Sequence, residues 1–166
     1  LIADPLIVSP SDTLATLVQL MNQARMACEL NSTSAEISSH LLAEARSSCV
    51  LVIDAAGTLQ GIVTERDLVR LGIEHEDWHR AIAGEVMTRP VLALPLAQLT
   101  DMFVVLEQFR VHRIRHLPVL DDAGQVLGLI TQASLRLVTR PIDLMRFQTV
   151  ADAMTHRVIT ASPQSS

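Results

Sequence analysis

Apolar and polar positions divide the chain into short blocks that recur in one order. Leu6 to Val8 is a short β run stopped by Pro10, and Ser11 or Asp12 stands where a helix would be capped. Leu14, Leu17, Val18, Met21 and Cys28 follow at helical spacing and make one apolar stripe. Val50 to Ile53 is a compact β-rich run, Asp54–Gly57 a tight turn, and Leu59 to Val63 a partner strand before Thr64 opens another helix. The order then returns: a strand over Val91 to Leu94, a helix near 97–111, strands at 117–120 and 126–130, and a helix from Gln132. The pattern predicts an α/β (α+β) fold of two β-α-β-β-α repeats packed as a pseudo-two-fold pair.

The recurrence extends to residue identity. CVLVIDAAGTLQGIVTERDLVR (49–70) matches HLPVLDDAGQVLGLITQASLRL (116–137) at a constant offset of 67, sharing Asp54/Asp121, Gly57/Gly124, Gly61/Gly128 and Thr64/Thr131. Upstream, 9–25 aligns with 94–110 at an offset of 85, so the first copy carries 18 additional residues within 26–48. That insertion is Ser-rich and contains Thr33-x-x-Glu36 ahead of Ile37, Leu41 and Leu42, a capping-box signature that predicts a helical hairpin. The expected organisation is repeat 1 over 1–75, a connector over 76–90 and repeat 2 over 91–148. The tail AMTHRVITASP (153–163) resembles VMTRPVLALP (86–95), so 149–166 is expected to begin a truncated third copy within a longer modular protein. A unit of about 60 residues is marginal alone, and twin units tend to share a core and hold ligands in the cleft between them.

Composition narrows the partners. No apolar run approaches the roughly 18 residues of a membrane span, and no membrane contact is expected. A net charge of −5, with three Phe, one Trp and no Tyr, argues against nucleic-acid binding. Cys28 and Cys49 form no framework and fit a reduced, cytoplasmic setting. Every basic side chain is Arg, so Schiff-base chemistry and a lysine-bearing phosphate loop are excluded. No nucleophile–base–orienter set stands out, and the chain reads as non-enzymatic.

The order β-α-β-β-α, the strand Leu117 to Asp121, the following glycine, and Gly-hydrophobic-hydrophobic-Thr-x-x-Asp resemble a cystathionine β-synthase (CBS) domain; two in tandem resemble a Bateman module. The resemblance covers about 5 to 140. It also extends to bacterial sensor proteins, histidine kinases among them, in which such modules precede a signalling output in the same polypeptide. It implies a regulatory module that binds an adenine nucleotide or related ligand (AMP, ADP, ATP or S-adenosylmethionine), with no other cofactor and no metal. By family position, Asp67 holds the ribose hydroxyls and Thr64 sits beside the phosphates. Ser48, Cys49, Val50 and Val8 (or Ile7) frame the base, and Arg115 and His116 reach the phosphates from the other repeat. The second copy is degraded: Thr131 is kept, but Ser134 stands where the acid is expected. Losing a charge-assisted pair of hydrogen bonds costs on the order of 1.5–3 kcal/mol, so one competent site is expected.

Plainer readings compete. Thr64-x-x-Asp67 is also an ordinary capping box. Arg110 and Arg113 read as a solvated helix end near a favourable dipole, whereas for Arg115 and His116 the two readings are balanced. His75 and His79, in EHEDWH, read as an exposed connector rather than a metal site, with Trp78 as its packing anchor. Met87 and Met154 are expected to pack in a core or interface. The alternative function is a module with an empty cleft that forms a homodimer through the Leu- and Val-rich helices near 65–72 and 132–139.

Overall fold

In a computed structural model of the chain, residues 1–29, 36–74 and 77–136 are described. The Thr33 capping box, His75, and the expected third copy with Met154 lie outside them.

Repeat 1 runs β1 (Ile7–Val8), α1 (Leu14–Glu29), α2 (Glu36–Ser47), β2 (Cys49–Ile53), β3 (Leu59–Thr64) and α3 (Glu65–Glu74). A 3-10 turn at Trp78–Arg80 and the short α4 (Ala83–Val86) lead to repeat 2, with β4 (Leu94–Pro95), α5 (Met102–His112), β5 (His116–Leu120), β6 (Val126–Thr131) and α6 (Gln132–Arg136). Each repeat forms one three-stranded sheet, ordered β1-β2-β3 and β4-β5-β6, whose central strand is parallel to the first and antiparallel to the third. The duplication survives in the register: Val50 opposes Val63 in one sheet and Leu117 opposes Ile130 in the other.

Period-2 alternation explains how two small sheets share a core. Val50, Val52 and Val63 pack against Leu14, Leu17 and Met21 of α1. Cys49, Leu51 and Ile62 point the other way, onto Ile2, Ala45 and Leu129, so this layer joins the repeats. In repeat 2, Leu117, Val119 and Ile130 pack on Val105 and Phe109 of α5. Both faces of β2 are therefore buried, which is why it reads as an unbroken apolar run rather than as alternation.

The repeats also exchange chain segments. Ile2, ahead of repeat 1, exchanges both backbone hydrogen bonds with Leu129 of β6 (2.8 and 2.9 Å). Thr88, ahead of repeat 2, does the same with Ile62 of β3 (3.2 and 2.9 Å). The repeated Gly61 and Gly128 permit these crossings. A Cβ at 128 would stand 2.6 Å from the Ile2 carbonyl oxygen, and one at 61 would collide with the Met87 side chain. Gly57 and Gly124 serve the turns instead, at φ +85° and +79°.

Several sequence expectations change in detail. The Thr13 hydroxyl, not Ser11 or Asp12, accepts from an amide of the first turn of α1 (Thr16 N–H, 3.4 Å), while Asp12 accepts from Ser9 N–H at 2.7 Å and closes the preceding turn. The helix expected near 97–111 is a 3-10 turn at Leu96–Gln98 followed by α5. Asp101 caps α5, accepting from Phe103 and Val104 N–H at 2.8 and 3.1 Å. The connector is not simply exposed: Ala83 is fully buried, and Trp78 and Met87 pack against the core of repeat 1. The insertion contributes α2, which lies against α1 and also against α6. Its Ala43, Ala45 and Ser47 are buried, so it braces the two repeats rather than projecting from them.

Candidate functional site

The strand ends of both repeats converge on one open cleft of about 480 Å³, within the range of about 300–1,000 Å³ usual for small-molecule sites. Its walls come from the end of α2, the β3–α3 junction, Thr88, the segment before β5, and α6. Equivalent backbone bonds fix the two junctions: Glu65 N–H donates to the Ser48 carbonyl and Gln132 N–H to the Arg115 carbonyl, each 3.2 Å.

At the first junction Thr64 and Asp67 form a reciprocal cap. The Thr64 amide and hydroxyl both donate to Asp67 Oδ2 (3.0 and 2.7 Å), and Asp67 N–H reaches Thr64 Oγ1 at 3.4 Å. The capping box is thus real and consumes Oδ2. Asp67 Oδ1 is left with a 3.5 Å ion pair to Arg70, in a carboxylate whose side chain is 14% exposed and lines the cleft. A carboxylate oxygen so placed can accept from a hydroxyl group.

At the second junction the counterpart chemistry is absent. Ser134 is buried, accepts from Thr131 N–H at 2.9 Å and donates back to the Thr131 carbonyl at 3.0 Å. Its one hydroxyl is used up by local backbone, and it lies outside the cleft lining.

His116 opens β5 and faces the cleft. Its Nε2 is 2.9 Å from Ser48 Oγ, and the Ser48 hydroxyl itself donates to the Ala45 carbonyl at 2.8 Å. With that proton committed, Nε2 must carry the hydrogen and donate to Ser48. Burial, then the neighbouring Arg115 guanidinium, push the imidazole pKa down to about 4, against an opposing pull from the Asp67 carboxylate. The ring is neutral at physiological pH and ties the two repeats together across the cleft.

Of the residues singled out from the sequence, Ser48, Thr64, Asp67, Arg115, His116 and Thr131 share this cleft. Val8, Cys49 and Val50 do not line it. Val8 and Val50 are buried on the α1 side of their sheet, and Cys49 in the layer between repeats. Burial pushes the Cys49 thiol up to about 12, so it packs as a small apolar group. Arg113 is exposed at the end of α5, as the solvated-helix-end reading has it, and it also borders the cleft. It ends α5 in the left-handed conformation (φ 53°), turning the chain so that residues 113–116 enter the cleft. Arg110 stays outside, bonded to Glu107 at 2.8 Å. His79 is exposed and meets Trp78 edge-on, and no metal-holding cluster occurs among the described residues. Sequence reasoning missed four residues of the cleft wall: Glu44 lies outside the matched stretches, Arg25 closes the upstream one, and Arg66 and Arg136 lie at positions the two copies do not share. A second cavity of about 500 Å³, by Trp78, Arg70 and Asp77, belongs to repeat 1 and its connector.

Comparison with known proteins fixes the family: the sequence pattern of the CBS domain matches residues 1–74 and 83–138. The chain belongs to the CBS domain family. It is 38% identical over 89 residues to inosine-5'-monophosphate dehydrogenase of Nitrosopumilus maritimus, covering 53% of this chain and 17% of that protein. It is 37% identical over 81 residues to the arabinose 5-phosphate isomerase KpsF of Escherichia coli, covering 49% and 24%. The chain therefore spans less than a quarter of these relatives. Among solved structures, a CBS-domain signal-transduction protein from Burkholderia ambifaria aligns with TM-score 0.61 at 23% identity over 89% of each chain. CBSX2 in complex with AMP aligns with TM-score 0.56 at 21% identity, covering 86% of this chain and 90% of that one. The cytosolic domain of the Mg2+ channel MgtE in complex with ATP aligns with TM-score 0.57 at 18% identity, covering 82% and 46%. These likenesses establish a tandem CBS pair. No helix of the described residues is long and apolar enough to cross a membrane.

Proposed function

We propose that this CBS pair is a non-catalytic regulatory module that binds an adenine nucleotide or related adenosyl ligand in the inter-repeat cleft. Asp67 Oδ1 accepts from the ribose diol, and Arg115 stands across the cleft for phosphate. The observation that carries the reading is that Asp67 and Thr64 of one repeat and Arg115 and His116 of the other line a single cleft. A ligand touching both walls binds one arrangement of the repeats better than others, and that differential affinity is what a regulatory module transmits. The output domain lies outside the described residues. Two structurally similar CBS proteins hold AMP and ATP, which favours this ligand class.

The test is thermal unfolding with AMP, ADP, ATP and S-adenosylmethionine in turn. Ligand at about a hundred times its dissociation constant adds about 2.7 kcal/mol, or roughly 5–10 °C for a chain of this size. The rise should vanish in Asp67→Asn, which can still accept at the cap but lacks the charge. No rise with any of the four favours the second reading, a dimerisation module. One observation supports that alternative: α3 exposes Val69 and Ile73 at 64% and 81%.

A further inference from the structure

We infer that the cleft selects a nucleoside di- or triphosphate over a monophosphate, the outer phosphates being held by arginines around the second repeat; this rests on the nucleotide reading above. The two ends of the cleft are built from equivalent positions but have diverged. The first end keeps the acid Asp67, and its nearby Arg25 is already paired with Glu65. The second end has no acid on α6: the counterparts of Glu65 and Asp67 are Gln132 and Ser134, the latter turned onto its own backbone. Yet Arg113, Arg115 and Arg136 all border the cleft there, with no ion-pair partner among the described residues.

Guanidinium groups that carry no ion pair are open to an anion, and three of them border this one end of the cleft. Guanidinium forks match phosphate oxygens in particular. A monophosphate beside a ribose at Asp67 offers anionic oxygens at one point only. A di- or triphosphate carries more charge and extends from the acidic end toward the basic one. A free polyanion matches the cleft less well, because Glu44, Glu65 and Asp67 also line it.

The experiment is isothermal titration calorimetry of the chain in low-salt, magnesium-free buffer with AMP, ATP and inorganic tripolyphosphate. The same titrations are run on an Arg113→Gln/Arg136→Gln variant whose melting temperature confirms folding. The inference expects ATP to bind at least about tenfold more tightly than AMP, and the ratio to fall toward one in the variant. Equal affinities for AMP and ATP, or a ratio unchanged in the variant, overturn the inference and leave the nucleotide reading standing. Tripolyphosphate binding with no nucleotide binding overturns the nucleotide reading and leaves the arginine anion site standing. Failure of all three ligands to bind overturns both.

Discussion

Replacing His116 by Gln should remove a large part of the chain's acid sensitivity between pH 7 and 5. The imidazole pKa is held at about 4 by burial and by Arg115, whereas in the unfolded chain it lies near 6.5. Between those values the unfolded state binds more protons, so stability falls as pH falls. The folded preference for neutral imidazole is worth up to about 3 kcal/mol above pH 6.5 and is lost as pH drops toward 4; at pH 5 about 2 kcal/mol has gone. Gln keeps an amide donor for Ser48 Oγ but does not titrate. Urea unfolding of both proteins at pH 7, 6 and 5 gives the relevant quantity, the change in stability with pH, free of any constant cost of the substitution. Carboxylates titrate in both proteins and cancel in the comparison. The wild type should lose about 2 kcal/mol more than the variant between pH 7 and 5. Equal losses would mean that His116 is not held neutral in the cleft, and the Ser48–His116 link across the repeats would fall with it.

Further outcomes follow from the packing. Asp67→Ala removes the acceptor for the Thr64 amide and hydroxyl and should cost about 1 kcal/mol, whereas Asp67→Asn should cost less; denaturation midpoints separate them. Leu51→Ala hollows the layer shared by the repeats, where Leu51 is fully buried, and should cost about 2–5 kcal/mol by the same measurement. Gly61→Ala forces Met87 aside, so Met87→Ala should recover part of its loss in a double-mutant cycle. Gly128→Ala meets the Ile2 carbonyl oxygen as well as the Leu1 side chain, so truncating Leu1 should recover less of its loss.

The strand expected over Val91 to Leu94 is only the short β4 at Leu94–Pro95. Strands β2, β3, β5 and β6, the turns at Gly57 and Gly124 and the Thr64–Asp67 cap were legible because each is a local event, written in consecutive residues and repeated at a fixed offset. The exchange of Ile2 and Thr88 between sheets was not, since a single backbone bridge leaves no periodicity. Its trace was the paired glycines 61 and 128, shared by the two copies without a sign of what crosses them. That Val8, Cys49 and Val50 lie outside the cleft lining was not legible for a related reason. A strand buried on both faces shows no alternation, so nothing in the residues marks which side faces a cleft. Arg136 was overlooked, and Arg113 was read only as a solvated helix end, because a place on the cleft wall depends on the left-handed residue ending α5 and on where α6 starts, both tertiary facts. Ser134 stands where the first repeat has its acid, and the structure adds that its hydroxyl is bonded to local backbone.

The most direct test is a nitrogen–proton NMR titration of the chain with ATP. The account predicts shifts at the Ser48, Thr64 and Asp67 amides together with Arg115, His116 and the His116 ring, from both sides of the cleft at once. Perturbations confined to one repeat, such as the cavity around Trp78, or none at millimolar ATP, would contradict it.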